Sequence, residues 1–168
     1  NGGDVGYITG TYDAANIYLT SHLTTGNSYS DGGGATLNFN ATNNITINQA
    51  SLDNSHAGTQ KSYMNFKGSN IKVSGSSFTD DTNGGFSFSG SSNNSAISFD
   101  KTSFNQGTYT FSNSASSSFD NSNFNQGTYH FNSAQSTFEN SDFNQGTYNF
   151  SNSTSFNSDT FNQGTYNF

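Results

Sequence analysis

Through the second half of the chain, bulky residues recur in a fixed rhythm against a polar background. Phe99, Phe119, Phe138 and Phe156 are each followed five residues later by another phenylalanine, at Phe104, Phe124, Phe143 and Phe161. A further step of five reaches Tyr109, Tyr129, Tyr148 and Tyr166, and two more residues reach Phe111, Phe131, Phe150 and Phe168. The octet FNQGTYNF therefore stands at 143–150 and again at 161–168, with near-copies opening at Phe104 and Phe124. Each repeat holds three short apolar segments: a Tyr-x-Phe pair, a second pair or its second half (Ile97-x-Phe99, then Ser-x-Phe), and a lone Phe. Alternation at period two predicts strands with one side inward. Segments this short cannot stand alone as a sheet, but they can form coils that stack at about 4.8 Å.

The predicted fold is all-β, a right-handed parallel β-helix of about seven coils. A left-handed hexapeptide helix is disfavoured because it steps by six. Upstream the pattern persists in degraded form, with Val73 and Phe78, and Ile47 and Leu52, keeping the step of five. First members of the Tyr-type pair read Tyr12, Leu37, Met64, Phe86, Tyr109, Tyr129, Tyr148 and Tyr166, at separations of 25, 27, 22, 23, 20, 19 and 18 residues. The coils shorten toward the C-terminus as corner loops are trimmed. Residues 1–168 thus read as one solenoid segment, irregular over 1–98 and regular over 99–168. Inward aromatic columns are expected at each stacked position. At the Asn-Gln-Gly corner, Asn105, Asn125, Asn144 and Asn162 are expected to form an amide ladder. Gly107, Gly127, Gly146 and Gly164 are expected there to supply positive φ.

Composition alone points toward disorder, since Ser, Asn, Gly and Thr dominate and only 9% of residues are charged. The aromatics, 15% of the chain and regularly spaced, reverse that reading. Net charge is −7, the only cations besides histidine are Lys61, Lys67, Lys72 and Lys101, and arginine is absent. Nucleic acid and a polybasic membrane surface are excluded as partners on that ground. No apolar run reaches the roughly 20 residues of a spanning helix. The opening NGGDVGYITG has no signal-peptide pattern, so the chain is expected to begin inside a longer protein or after processing.

The run SFDNSNFNQGTYHFNSAQSTFENSDFNQGTYNF resembles the repeats of the vacuolating-cytotoxin-like (VacA-like) autotransporters, most clearly over 99–168 and more weakly from about residue 35. The resemblance implies a passenger segment of an outer-membrane autotransporter, exported and displayed at the cell surface or secreted. It implies no catalytic residues.

The residues offer only weak candidates for chemistry. His22, His56 and His130 lie on different coils without ligand spacing. Asp100, Asp120 and Glu139, with Asn157 next, follow inward phenylalanines on successive coils; stacked carboxylates invite a cation such as calcium, but a solvated acidic stripe is favoured. Asp80 and Asp81 are adjacent carboxylates on a loop, the minimum for carbohydrate cleavage. The GGG at 32–34 lacks a phosphate loop's lysine. Thr108, Thr128, Thr147 and Thr165 form an outward column, but only one coil reads Thr-Tyr-Thr, too irregular to match an ice lattice.

The expectation is therefore no enzyme, no catalytic, cofactor-binding or metal residues, and no cofactor. The favoured role is a structural and display segment, presenting loops (25–34, 53–62, 79–85) for host-cell adhesion or immune modulation. The alternatives are a carbohydrate-active β-helix and, third, an ice- or surface-binding solenoid. Expected partners are host cell-surface molecules, the rest of the passenger chain and, end to end, other copies of this chain.

Overall fold

The computed structural model describes residues 8–25, 34–54, 61–80 and 84–168. These form a parallel β-solenoid; every strand pairing among them is parallel, and each interior strand lies against its counterpart one turn earlier and one turn later. One regular turn runs Ala96–Asp100, Ser103–Asn105 and Thr108–Ser112; the next runs Ser116–Asp120, Asn123–Asn125 and Thr128–Asn132. Three faces result. The lone-Phe strands make a seven-stranded sheet, and the other two faces are joined into one 13-stranded sheet. The join is made by the long strands Ile8–Leu19 and Ala35–Asn48, which turn the corner between these faces without a break. In the later turns that corner is a short polar bend.

The expected columns are present in register. Phe104 lies on Phe124, Phe124 on Phe143, and Phe143 on Phe161. Tyr109, Tyr129, Tyr148 and Tyr166 stack likewise, as do Phe99, Phe119, Phe138 and Phe156. Two ring geometries fill the core. Between turns the rings lie nearly parallel, as in Phe104–Phe124 (5.0 Å, 6°) and Phe119–Phe138 (4.8 Å, 8°). Within a turn they meet edge to face, as in Phe104–Tyr109 (78°) and Phe104–Phe111 (85°). Both are the arrangements that ring quadrupoles favour, and each pair adds about 0.5–1.5 kcal/mol beyond area burial. Toward the N-terminus these three columns turn aliphatic at Leu52, Met64, and Val73 with Ile47, all buried, whereas the Phe111 column stays aromatic through Phe88, Phe66 and Phe39.

Two expectations are corrected. Tyr12 does not head the Tyr-type column. It pairs with Phe39, and Gly10 pairs with Leu37, so the first separation is 27 residues rather than 25. The GTY at 10–12 resembles the later GTY triplets, but Ile17 and Leu19 settle onto Ile45 and Ile47, with a register shift between Ala14 and Asn16. Burial of that aliphatic pair sets the register.

The glycine corner also differs. Of the four Asn-Gln-Gly glycines only Gly107 has positive φ, +86°. The others are required by space. A Cβ on Gly127 would stand 2.8 Å from the Gly107 carbonyl oxygen, and one on Gly146 would stand 2.9 Å from that of Gly127. Those carbonyls accept hydrogen bonds from Thr128 and Thr147 at 2.8 Å, so they are fixed in place.

The corner between strands such as Ala96–Asp100 and the lone-Phe strand that follows holds a column the sequence hides. Gln49, Gly75, Lys101, Asn121, Asn140 and Ser158 all have φ between 49° and 59°. Each of the first five donates its N–H to a carbonyl of the next turn, for example Lys101 to Asp120 at 3.0 Å. Only one of the six is glycine, so the others hold a left-handed conformation that costs a side-chain-bearing residue about 1–2 kcal/mol. Replacing exposed Lys101 with glycine is expected to stabilise the fold by about 0.5 kcal/mol, after subtracting glycine's extra freedom in the unfolded chain. Urea unfolding midpoints measure this; a loss of stability would mean that the lysine stem contributes more than the strain removes.

Candidate functional site

The Asn-Gln-Gly corner, between the lone-Phe strand and the Tyr-x-Phe strand, explains why the column beside it is tyrosine. Tyr129 Oη donates to the carbonyls of Phe104 (3.1 Å) and Asn125 (2.7 Å), sharing one hydrogen between the turn below and its own turn. Tyr109 makes the equivalent contacts to Phe78 and Asn105, Tyr148 to Phe124 and Asn144, and Tyr166 to Phe143 and Asn162. In earlier turns, whose corner is not Asn-Gln-Gly, the column holds Phe86 and Met64. The hydroxyl thus goes with the tight corner, whose carbonyls it caps.

Burial, and then the neighbouring phenols Tyr109 and Tyr148, push the Tyr129 phenol far above its ordinary value. Burial does the same for Tyr148, with Tyr166 second, and for Tyr109, where the Asp80 carboxylate is the next cause. A raised folded-state value means that the folded chain keeps these protons when the unfolded chain releases them. This contribution is complete below the unfolded value of about 10 and is lost as pH rises beyond it. Alkaline unfolding is therefore expected to begin near pH 10, with tyrosinate absorbance from this column rising in step with loss of the strand circular dichroism. Ionisation of the column while the fold persists would contradict the burial. Tyr129→Phe is expected to cost about 1 kcal/mol, the net worth of a buried hydrogen bond.

Outside the core, amide side chains form ladders. Asn125 donates to Asn105 at 3.0 Å, Asn144 to Asn125 at 3.0 Å, and Asn162 to Asn144, the ladder expected at this corner. Gln106, Gln126 and Gln145 form a second one beside it. Others run through Asn38 and Asn65, through Asn16, Asn44 and Asn70, and through Asn149 and Asn167. These contacts tie neighbouring turns together across a polar exterior.

Against this frame the candidate residues are dispersed. His22 and His130 stand on different faces, and His130 occupies the place of Thr110 and Asn149 in neighbouring turns, its ring 3.4 Å from the Asn149 amide. His56, Asp81, residues 32 and 33 of the GGG run and most of the three long corner loops lie outside the described residues. Asp100, Asp120, Glu139 and Asn157 do stack in one column. Among the described residues, however, no group of three or more His, Cys, Asp or Glu side chains could hold a metal ion. Asp80 is fully buried, packed beside Gly84 and Gly107 close to the Tyr109 phenol. The Asp80 carboxylate is thus enclosed at this corner. The outward Thr108, Thr128, Thr147 and Thr165 are in register, but their companions run Thr110, His130, Asn149 and Asn167, so the threonine rank is broken. Sequence reading also missed Asp159. Its carboxylate accepts the N–H groups of Ser141 (2.7 Å) and Asn157 (2.8 Å), in a column where the preceding turns place the hydroxyls of Ser76, Thr102, Ser122 and Ser141. Partial burial still raises its pKa.

The arrangement defines a class: a parallel β-solenoid with an aromatic core and a ladder-bonded polar exterior. Residues 3–62 match the VacA2 family model, described as "Putative vacuolating cytotoxin". The resemblance to vacuolating-cytotoxin-like proteins is thereby borne out. The match falls on the irregular N-terminal turns, whereas the clearest likeness read from the sequence lies in the regular repeats. Comparison with curated proteins and with solved structures gives no match.

Proposed function

We propose that this chain is a structural and display segment of a bacterial surface autotransporter passenger, presenting loops for host-cell adhesion or immune modulation. The observation that carries the reading is where the long connections leave the stack. The strands His22–Thr24, Ser51–Asp53 and Ser77–Thr79 are neighbours in one sheet, and the strands that follow them, Ala35–Asn48, Tyr63–Gly68 and Gly85–Gly90, are neighbours in the other. Residues 25–34, 54–62 and 80–84 therefore leave from, and return to, one edge of the solenoid in three successive turns. Loops on a rigid scaffold are the usual carriers of recognition. In the later turns the same corner is closed by Asn-Gln-Gly.

The family match supports a toxin-like protein that is secreted or held at the cell surface. No catalysis is part of this reading; its partners are host surface molecules and the remainder of the passenger. The test is a chimera in which residues 53–62 and 79–84 are each replaced by the short Asn-Gln-Gly corner, which keeps Tyr63 and Gly85 in register with Thr108. Host-cell binding by the labelled chain is expected to fall at least tenfold while the strand signal is unchanged. Binding that survives both replacements would move recognition off this edge.

A further inference from the structure

The corner that follows the Tyr-x-Phe strands is long in one turn. Lys67 pairs with Ser89 and Asn70 with Ala96, so residues 68–69 of one turn face residues 90–95 of the next. In the turn after that the connection shortens again to 113–115. The long connection stands out from the stack, with Ser91, Ser92, Asn93 and Asn94 all exposed. It is also fixed. Ser92 N–H donates to Ser95 Oγ at 3.0 Å, Ser91 N–H donates to the Gly68 carbonyl at 3.0 Å, and the Ser91 and Ser69 hydroxyls lie 2.9 Å apart. On its N-terminal side the long strands Ile8–Leu19 and Ala35–Asn48 round the corner without a break. Between the two lies a recess of about 660 Å³, within the roughly 300–1,000 Å³ usual for ligand sites.

One wall of the recess is the outward column Asp13, Asn40 and Lys67. Asn40 Nδ2 donates to Asp13 Oδ1 at 2.9 Å, which leaves Asp13 Oδ2 and Asn40 Oδ1 to accept from a ligand. Lys67 is exposed, and among the described residues its ammonium has no hydrogen bond or ion pair. Its column neighbours, Asn40 and Ser89, are uncharged. Asp13 lies two strand spacings away, about 9.6 Å, roughly the distance over which salt screens one charge from another. Ala14 and Ala41 supply the apolar part of the lining, and Thr42 and Ser91 add hydroxyls.

We propose that this recess binds a pyranose sugar bearing a carboxylate, of the sialic acid type, at the end of a glycan chain. The carboxylate takes a charge-assisted hydrogen bond from Lys67, ring hydroxyls donate to Asp13 and Asn40, and the C–H face of the ring lies on the alanine methyls. A bare anion is too small for the space and is repelled by Asp13. A neutral sugar leaves the ammonium without a partner. The recess spans four successive turns and opens sideways, so chain stacked beyond either end leaves it open. It lies at the opposite end of these strands from the loop edge invoked for display, and its failure leaves that reading untouched.

The test is an NMR titration of the isotope-labelled 168-residue chain with sialyllactose and with lactose, its neutral parent. Sialyllactose is expected to bind at least tenfold more tightly. Lys67→Gln should remove that difference. Lys72→Gln, which removes an exposed cation of the same turn on the neighbouring strand Asn70–Ser74, should leave it intact. Ala14→Trp fills the recess without changing a charge and should abolish binding of both sugars. These side chains are exposed, so the strand signal should be unchanged in every variant. No binding of sialyllactose, equal binding of the two sugars, equal losses in Lys67→Gln and Lys72→Gln, or undiminished binding by Ala14→Trp would each overturn the proposal.

Discussion

Phe124→Ala is expected to cost about 3–5 kcal/mol, the range for truncating a buried phenylalanine where the surroundings cannot collapse into the space. Collapse is blocked here because Phe124 is sandwiched between Phe104 and Phe143, each 5.0 Å away, and is met edge-on by Tyr129 and Phe119. Those rings are in turn held by strands that cannot close on one another without breaking the ladder spacing. Outward Thr128, four residues on, should cost less than about 0.5 kcal/mol as alanine, like other surface changes. Urea unfolding of the two variants gives the comparison. Equal losses at Phe124 and Thr128 would mean that the inward and outward phases are misassigned.

Gly127→Ala is the second large effect, about 1–3 kcal/mol, as expected for forcing an extra carbon into a packed site. The cause is distance, not dihedral angle. The added methyl would meet the Gly107 carbonyl oxygen at 2.8 Å and the Tyr129 ring at 3.3 Å, and the turn below has no side-chain torsion that moves that oxygen away. Gly107→Ala should be worse than Gly127→Ala. Its φ of +86° adds backbone strain, and its Cβ would lie 2.2 Å from an Asp80 carboxylate oxygen. Thermal unfolding midpoints of the two variants check the order; a harmless Gly127→Ala would show that the turns stand farther apart at this corner.

How much of this was legible in the sequence depended on whether identity or geometry carried the information. The inward columns could be read because stacking places like on like, and Phe104, Phe124, Phe143 and Phe161 announce themselves by residue type. The asparagine ladder was legible for the same reason. The left-handed corner was not: Gln49, Lys101 and Ser158 share a backbone angle and a hydrogen bond, neither of which leaves a side-chain signature. Tyr12 misled because a local GTY match competed with burial of Ile17 and Leu19, and burial won. Asp80 misled because an acidic pair on a loop looks exposed. Its position two residues after Phe78, matching Asn54 two residues after Leu52, was the available signal that the side chain enters the corner. The functional reading was the least legible part. The repeats encode their own packing, and the segments that carry recognition in the proposed role are those where the repeat breaks down.

The central claim is that successive repeats lie directly on one another, residue against residue, at the registers given. The chain has no cysteine, so paired nitroxide labels can be placed without background. Labels at Ser98 and Ser118 occupy directly paired positions one turn apart, and labels at Ser98 and Thr137 occupy the same column two turns apart. Backbone separations of about 4.8 Å and about 9.6 Å follow from the spacing of parallel strands. Continuous-wave EPR at low temperature should show strong dipolar broadening for 98/118 and distinctly weaker broadening for 98/137. Equal spectra, or no broadening at 98/118, would mean that the repeats do not stack in this register.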